Sequence, residues 1–184
     1  IADYLNGLAM QKYRPKSEKY LPVIKIKEMR NGFSDNTEKA DINIPKKYII
    51  HDGDILFSWS GTLDVVIWCN GVGGLNQHLF KVTSTKYPKW YYYLWTLHHL
   101  KRFKLIASSK ATTMGHIKRE ELTKAKVLIP TDDQINEFNK IMIPLFEKCI
   151  TQSVGNRNLL SLRDAILPKL MNGEIDVSNI DLNE

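Results

Sequence analysis

Cysteine is scarce in this 184-residue chain: there are two, Cys69 and Cys149, far apart and each set among apolar neighbours. That excludes a disulfide framework, and both are expected to be buried thiols in a reducing cytoplasm. No uninterrupted apolar run approaches the roughly 20 residues needed for a membrane-spanning helix, so no membrane partner is expected. No signal peptide is legible, and the chain opens on Ile1 rather than Met, as expected of a fragment or a trimmed chain. Acidic residues are missing altogether from 65–119, where Lys81, Lys86, Lys89, Lys101, Arg102, Lys104, Lys110, Lys118 and Arg119 all fall. A one-signed basic field attracts polyanions, nucleic acid first among them, although a solubilising surface explains the charge about as well.

Catalytic machinery is as sparse. Val72-Gly73-Gly74 lacks the spacing and strand–helix setting of a dinucleotide loop and reads as a hairpin turn. There are no adjacent prolines, and therefore no Pro-Pro-aromatic motif of the kind amino-methyltransferases use to hold a flipped base. Asp52 and Asp54 could open a nuclease carboxylate cluster, but no Glu-x-Lys completes one, so they read as turn residues. His98 and His99 are neighbours on a helix, point to different faces and have no acid or Cys nearby, so no metal site is expected. Ser60 lacks the first Gly of a nucleophile elbow.

What the chain does have is a long helix at its end. Pro130-Thr131-Asp132-Asp133-Gln134 carries a T-x-x-Q capping box, and an apolar pattern runs on to Leu170 before Gly173 stops it. Counted in sevens from Ile135, the seam is Ile135, Phe138, Met142, Leu145, Cys149, Gln152, Asn156, Leu159, Arg163, Ile166 and Leu170. Eight of these eleven are apolar, the stripe expected of a helix that packs along another. From 132 to 171 the helix would span about 60 Å at about 1.5 Å per residue. A rod that long is expected to project from the body and meet a partner. Pro144 and Pro168 each remove a backbone donor and are expected to kink or end it locally.

The preceding residues read as short strands with one helix embedded. Strands are expected at 20–26, 48–50, 54–58, 64–68 and 78–82, with 126–129 as the last; Pro22 marks the first as an edge. Glycine-bearing turns separate them. Pro88 fits the first position of a helix through Trp90, Leu94, Trp95, Leu97 and Phe103. Its aromatics, Trp90, Tyr91, Tyr92, Tyr93 and Trp95, are at helical spacing and are expected to be core rather than base-stacking residues. Parts of 30–47 are polar enough for loop. The fold class is thus α+β.

One set of motifs, taken in order, resembles a known family. They are Gly53-Asp54-Ile55-Leu56-Phe57-Ser58, Ser60-Gly61-Thr62 and Gly74-Leu75-Asn76-Gln77. Thr112-Thr113-Met114-Gly115-His116-Ile117 follows, then Val127-Leu128-Ile129-Pro130. The helix adds Asn158-Leu159-Leu160-Ser161-Leu162-Arg163-Asp164 and Leu167-Pro168-Lys169-Leu170-Met171-Asn172-Gly173. Over nearly its whole length the sequence resembles the DNA-specificity subunit of type I restriction–modification enzymes. The resemblance implies a target-recognition domain over 1–130 that reads one half-site of double-stranded DNA. It implies a spacer and docking helix over 131–173, with 174–184 an acidic tail. It implies no catalysis and no cofactor in this chain; S-adenosylmethionine would be bound by the modification subunits docked on the helix, with restriction subunits joining the full complex. Holding one domain and one helix, the chain would be the second half of a longer subunit or a half-size subunit that homodimerises.

On this reading, Lys101, Arg102 and Lys104 are expected on phosphates. The acid-free segment 104–116, with Ser108, Ser109, Lys110, Thr112, Thr113 and His116, is expected to read bases. Lys12, Arg14 and Lys16 are the second candidates. Ser60, Thr62, Asn76 and Gln77, set among glycines, are expected to fix turns. The helix interface is expected at Ile135, Phe138, Met142, Leu145, Leu159, Ile166 and Leu170. The alternatives are a protein-interaction scaffold with incidental charge and a fragment of a DNA-modifying enzyme; salt-sensitive DNA binding argues against the first, and activity with S-adenosylmethionine or a divalent metal would favour the second.

Overall fold

A computed structural model describes residues 1–109 and 115–176. Two four-stranded sheets stack on one another, with a helix across the outer face of the first. The first sheet is antiparallel throughout, in the order β1 (Asp3–Asn6), β8 (Leu79–Thr83), β5 (Ile55–Ser58), β6 (Asp64–Ile67). The second is mixed, in the order β3 (Lys39–Asp41), β2 (Tyr20–Ile24), β7 (Gly73–Leu75), β4 (Ile49–Ile50), with β2 and β7 parallel.

Strand β5 is buried along its whole length because it has cover on both faces. Ile55 and Phe57 point to α2 (Lys89–Ser109), where they meet Leu100, Phe103 and Ala107. Leu56 points the other way, into a cluster with Ile24, Ile50, Trp68 and Leu75 between the sheets. This is the period-2 alternation of a strand, with both of its faces apolar. The buried polar end of β5 is satisfied locally: the Ser58 hydroxyl donates to the Thr62 carbonyl at 2.7 Å and accepts from the Asp64 amide at 2.7 Å.

Several elements differ from the sequence expectation. Gly73 and Gly74 form strand β7 rather than a turn. A Cβ on Gly73 would stand 2.7 Å from Ile24 Cγ1 and one on Gly74 3.0 Å from Met10 Cε, so glycine is what lets β7 lie against these side chains. Strand β2 is interior, not an edge. Pro22 is tolerated because it faces only β3: the ladder with β7 starts one residue later, at Val23. Residues 126–129 form no strand; α2 holds them instead, the Tyr91 hydroxyl donating to the Leu128 carbonyl and the His99 ring meeting that of Lys126. Strands β1 and β3 and the short helices α1 (Ile26–Asn31) and α3 (Arg119–Thr123) are additional to the expected set. Cys69 is buried, but Cys149 is exposed.

That helix, α4 (Asp132–Met171), starts as expected, with Thr131 and Gln134 capping each other. It runs on through Pro144 and Pro168 without ending at either.

Burial, with the Asp54 carboxylate adding to it, pushes the Tyr92 phenol up to about 12. An unfolded tyrosine ionises near 10. Above that pH the unfolded chain releases a proton that the folded one retains. Tyr92 therefore contributes stability that is fully present below about 10 and lost as pH rises toward 12. From pH 9 to pH 11 the urea midpoint of wild type should fall more steeply than that of Tyr92→Phe, which has no phenol to ionise. Parallel falls would mean that Tyr92 ionises freely in the folded protein.

Candidate nucleic-acid interface

The strand register gives the body two distinct ends. At one, Ile55 pairs with Ile67 and Val82; at the other, Ser58 pairs with Asp64 and Leu79. Helix α2 starts at the first end, where Lys89 Nζ donates to the Gly53 carbonyl at 2.7 Å, and finishes at the second, beside Gly115.

The first end is occupied by α4. Trp90 Nε1 donates to Asn139 Oδ1 at 2.7 Å, the Phe146 ring stands edge-on to Tyr93 at 5.3 Å, and Ile150 covers Gly53. The last of these contacts is polar: Arg157 Nη1 lies 3.0 Å from both Asp52 oxygens and 2.9 Å from the Cys69 carbonyl. Asp52 also accepts the Gly71 amide at 2.7 Å, so the carboxylate ties two turns of the body to the helix. It is more than the turn residue its sequence setting suggests.

The long helix therefore does not simply project. Its first 26 residues lie along the body through the stripe Ile135, Asn139, Met142, Phe146, Ile150 and Arg157. From Asn158 onward every described residue except Ile166 is exposed. The expected seam is split accordingly. Ile135 and Met142 are half-buried, Phe138 touches Trp90 yet stays 54% exposed, and Leu145, Leu159 and Leu170 are exposed. Two neighbouring stripes satisfy the same heptad count. The body takes the one carrying Asn139 and Arg157, because those two have polar partners waiting, and leaves the more apolar one outward.

The second end is open. Its centre is the β5–β6 hairpin, bridged to the segment after α2: the Gly61 amide donates to the Gly115 carbonyl at 2.8 Å, that of Ile117 donates to Trp59 at 3.0 Å, and Ser60 pairs with His116. A recess lies on each side of it. One is lined by Gly61, Thr62, Lys104, Ser108 and Gly115, the other by Gln11, Lys27, Gln77 and His78. Among the described residues, neither lining has an Asp or Glu.

The sequence-predicted residues divide around this end. Lys104 and Ser108 line the first recess, and Lys101 is exposed on the same helix. Arg102 faces Glu121 at 4.0 Å. The Ser108 and Ser109 hydroxyls donate back to the Leu105 and Ile106 carbonyls at 2.9 and 3.0 Å. Lys110, Thr112 and Thr113 lie outside the described residues. On the second sheet, Arg14 is paired with Glu38 at 2.8 Å, while Lys12 and Lys16 are exposed. Lys25 also meets Glu38 and holds that carboxyl below the usual range. The basic stretch 65–119 is not one surface. Lys81 pairs with Asp54 at 2.7 Å, Lys89 caps a turn, and Arg119 donates to the Tyr4 carbonyl while lying over Phe80.

A family model for the type I restriction modification DNA specificity domain matches residues 1–154. The chain belongs to that family. Among curated members, this specificity domain is 26% identical over 167 residues to the type I restriction enzyme MjaIX specificity subunit of Methanocaldococcus jannaschii, covering 87% of this chain and 39% of that protein. It is 27% identical over 172 residues to the HindI specificity subunit of Haemophilus influenzae, covering 84% of this chain and 35% of that protein. The chain thus spans less than two-fifths of the length of these relatives. A crystal structure of the HsdS subunit from Thermoanaerobacter tengcongensis is 20% identical, covering 95% of this chain and 44% of that one, at a TM-score of 0.38. Among the described residues no helix is long and apolar enough to cross a membrane, and no group of three His, Cys, Asp or Glu could hold a metal ion.

The Arg157 tie is only partly shielded, with about 30% of each side chain exposed, so it should contribute about 1 kcal/mol or less. In Arg157→Ala, amide exchange of α4 residues 150–157 should quicken by up to about fivefold, the factor that 1 kcal/mol gives, while β5 exchange stays unchanged. Unchanged exchange in α4 would show that apolar packing alone holds the helix.

Proposed function

We propose that this chain is a sequence-reading module for double-stranded DNA in a type I restriction–modification system, contacting one half-site with the open end of its body. The observation that carries this is the polarity of the body: the motif residues Gly61, Thr62 and Gly115 line one recess at the open end and Asn76 and Gln77 the other, with no carboxylate among the described lining residues, while α4 occupies the opposite end. Lys101 and Lys104 contact phosphates and fix register, and short polar side chains around the 104–116 segment meet base edges. The chain performs no chemistry itself. S-adenosylmethionine belongs to modification subunits, which dock on the helix in the cytoplasm, with restriction subunits completing the assembly.

The outward stripe of α4 supports the docking part of this reading. Phe138, Ile141, Leu145, Leu159 and Leu162 are each more than half exposed, the first three on the part of α4 that packs on the body and the last two beyond it. Such a stripe is covered by a second long helix, from another copy of this chain or from the other half of a longer subunit.

Anisotropy titrations over a salt series test the reading. Lys104→Ala and Lys101→Ala should each weaken binding to specific and scrambled duplexes alike and lower the salt slope by about one. Replacing Ser109, Thr112 and Thr113 together should instead change which half-site a randomised pool yields, with the slope nearly intact. Salt-independent binding, or the same half-site from both proteins, would contradict the assignment.

A further inference from the structure

The second recess at the open end lies between the 3₁₀ turn Met10–Lys12, the start of α1 and the β7–β8 turn, and has a volume of about 310 Å³. We propose that it is a phosphate site, in which Lys27 and Gln77, the latter braced by His78, hold one backbone phosphate of the bound duplex on the far side of the hairpin from Lys104. This rests on the DNA-reading function above and adds a second anchor to it.

Three observations support the assignment. The first is that the recess is built. Trp59 Nε1 donates to the Gln77 carbonyl at 3.1 Å, and Asn76 Oδ1 accepts the His78 amide at 3.3 Å. Ser60 Oγ lies 3.0 Å from His78 Nδ1, which leaves Nε2 beside the Gln77 amide nitrogen at 3.4 Å. An amide nitrogen cannot accept, so Gln77 donates one N–H to His78 Nε2 and keeps the other for a ligand, with the His78 ring bracing it from behind. The second is charge. Lys27 is exposed at the rim, the lining has no carboxylate, and the neighbouring Glu38 is already neutralised by Arg14 and Lys25. The third is shape. Reading a groove takes a side chain that protrudes from the protein, whereas Gln77 and His78 are half-buried in a concavity. What enters a concavity from a duplex is its phosphate ridge, so these residues position the DNA and do not select bases.

The test uses the full chain, specific and scrambled duplexes, and inorganic phosphate. Lys27→Ala should weaken both duplexes and lower the salt slope by about 0.9, as expected for one phosphate. Gln77→Leu should weaken both about fivefold without changing the slope or the half-site selected, and circular dichroism checks that it folds. A changed half-site preference in either variant would make the recess a base reader and overturn the proposal. Binding by both variants equal to wild type, while Lys104→Ala still weakens it, would overturn this site alone. Wild type binding no duplex would overturn the DNA-reading function as well. His78 ring signals that move with millimolar inorganic phosphate but not with duplex would mark a free-anion site instead, and also count against it.

Discussion

Helix α2 is packed from two sides, and the placement of everything at the open end depends on that. Phe103, Leu100 and Tyr92 bury against β5, β6 and β8, each such side chain contributing about 1.5–3 kcal/mol by leaving water. Trp90 and Tyr93 meet Asn139 and Phe146 of α4. The helix is 21 residues long, about 30 Å, so a small tilt at its start becomes a large displacement of Lys104 and Ser108 at its end. Lys89 on Gly53 and Arg157 on Asp52 fix that start through the same β4–β5 turn. Apolar packing thus supplies the affinity of α4 for the body, and a few polar contacts set its register.

This explains which parts of the sequence were legible. Strands β4, β5, β6 and β8, helix α2 and the start of α4 follow from local pattern, because alternation, Pro88 and the Thr131–Gln134 box act within a few residues of themselves. Gly73 and Gly74 were misread because their strand is specified by Ile24 and Met10, distant in the chain but pressed against them. The seam counted on α4 is split by the body for the same reason, Ile135 and Met142 being half-buried and Leu145, Leu159 and Leu170 exposed. Heptad counting finds an apolar stripe, but only Asp52 and Trp90, on other elements, decide which of two stripes turns inward.

Charge shows the limit of reading a surface from a window of sequence. The stretch 65–119 has no acid of its own, yet folding brings Asp54 to Lys81 and Glu121 to Arg102. What survives is narrower and better placed: Lys101, Lys104 and Lys27 around a hairpin whose flanking recesses have no carboxylate. The second recess was not legible in the sequence, where Gln77 reads as a turn residue and His78 as the start of a strand; Trp59 and Ser60, which brace them, stand 18 residues away.

The account claims that the two ends of one body do different work, the open end on DNA and the other on the helix. Amide exchange of the full chain with and without a duplex carrying its selected half-site tests this directly. Protection should appear at 59–62, 76–78, 104–109 and 115–117, with 51–54, 69–72 and 146–157 unchanged. Protection confined to 51–54, 69–72 and the face of α4 would place the duplex at the wrong end and contradict it.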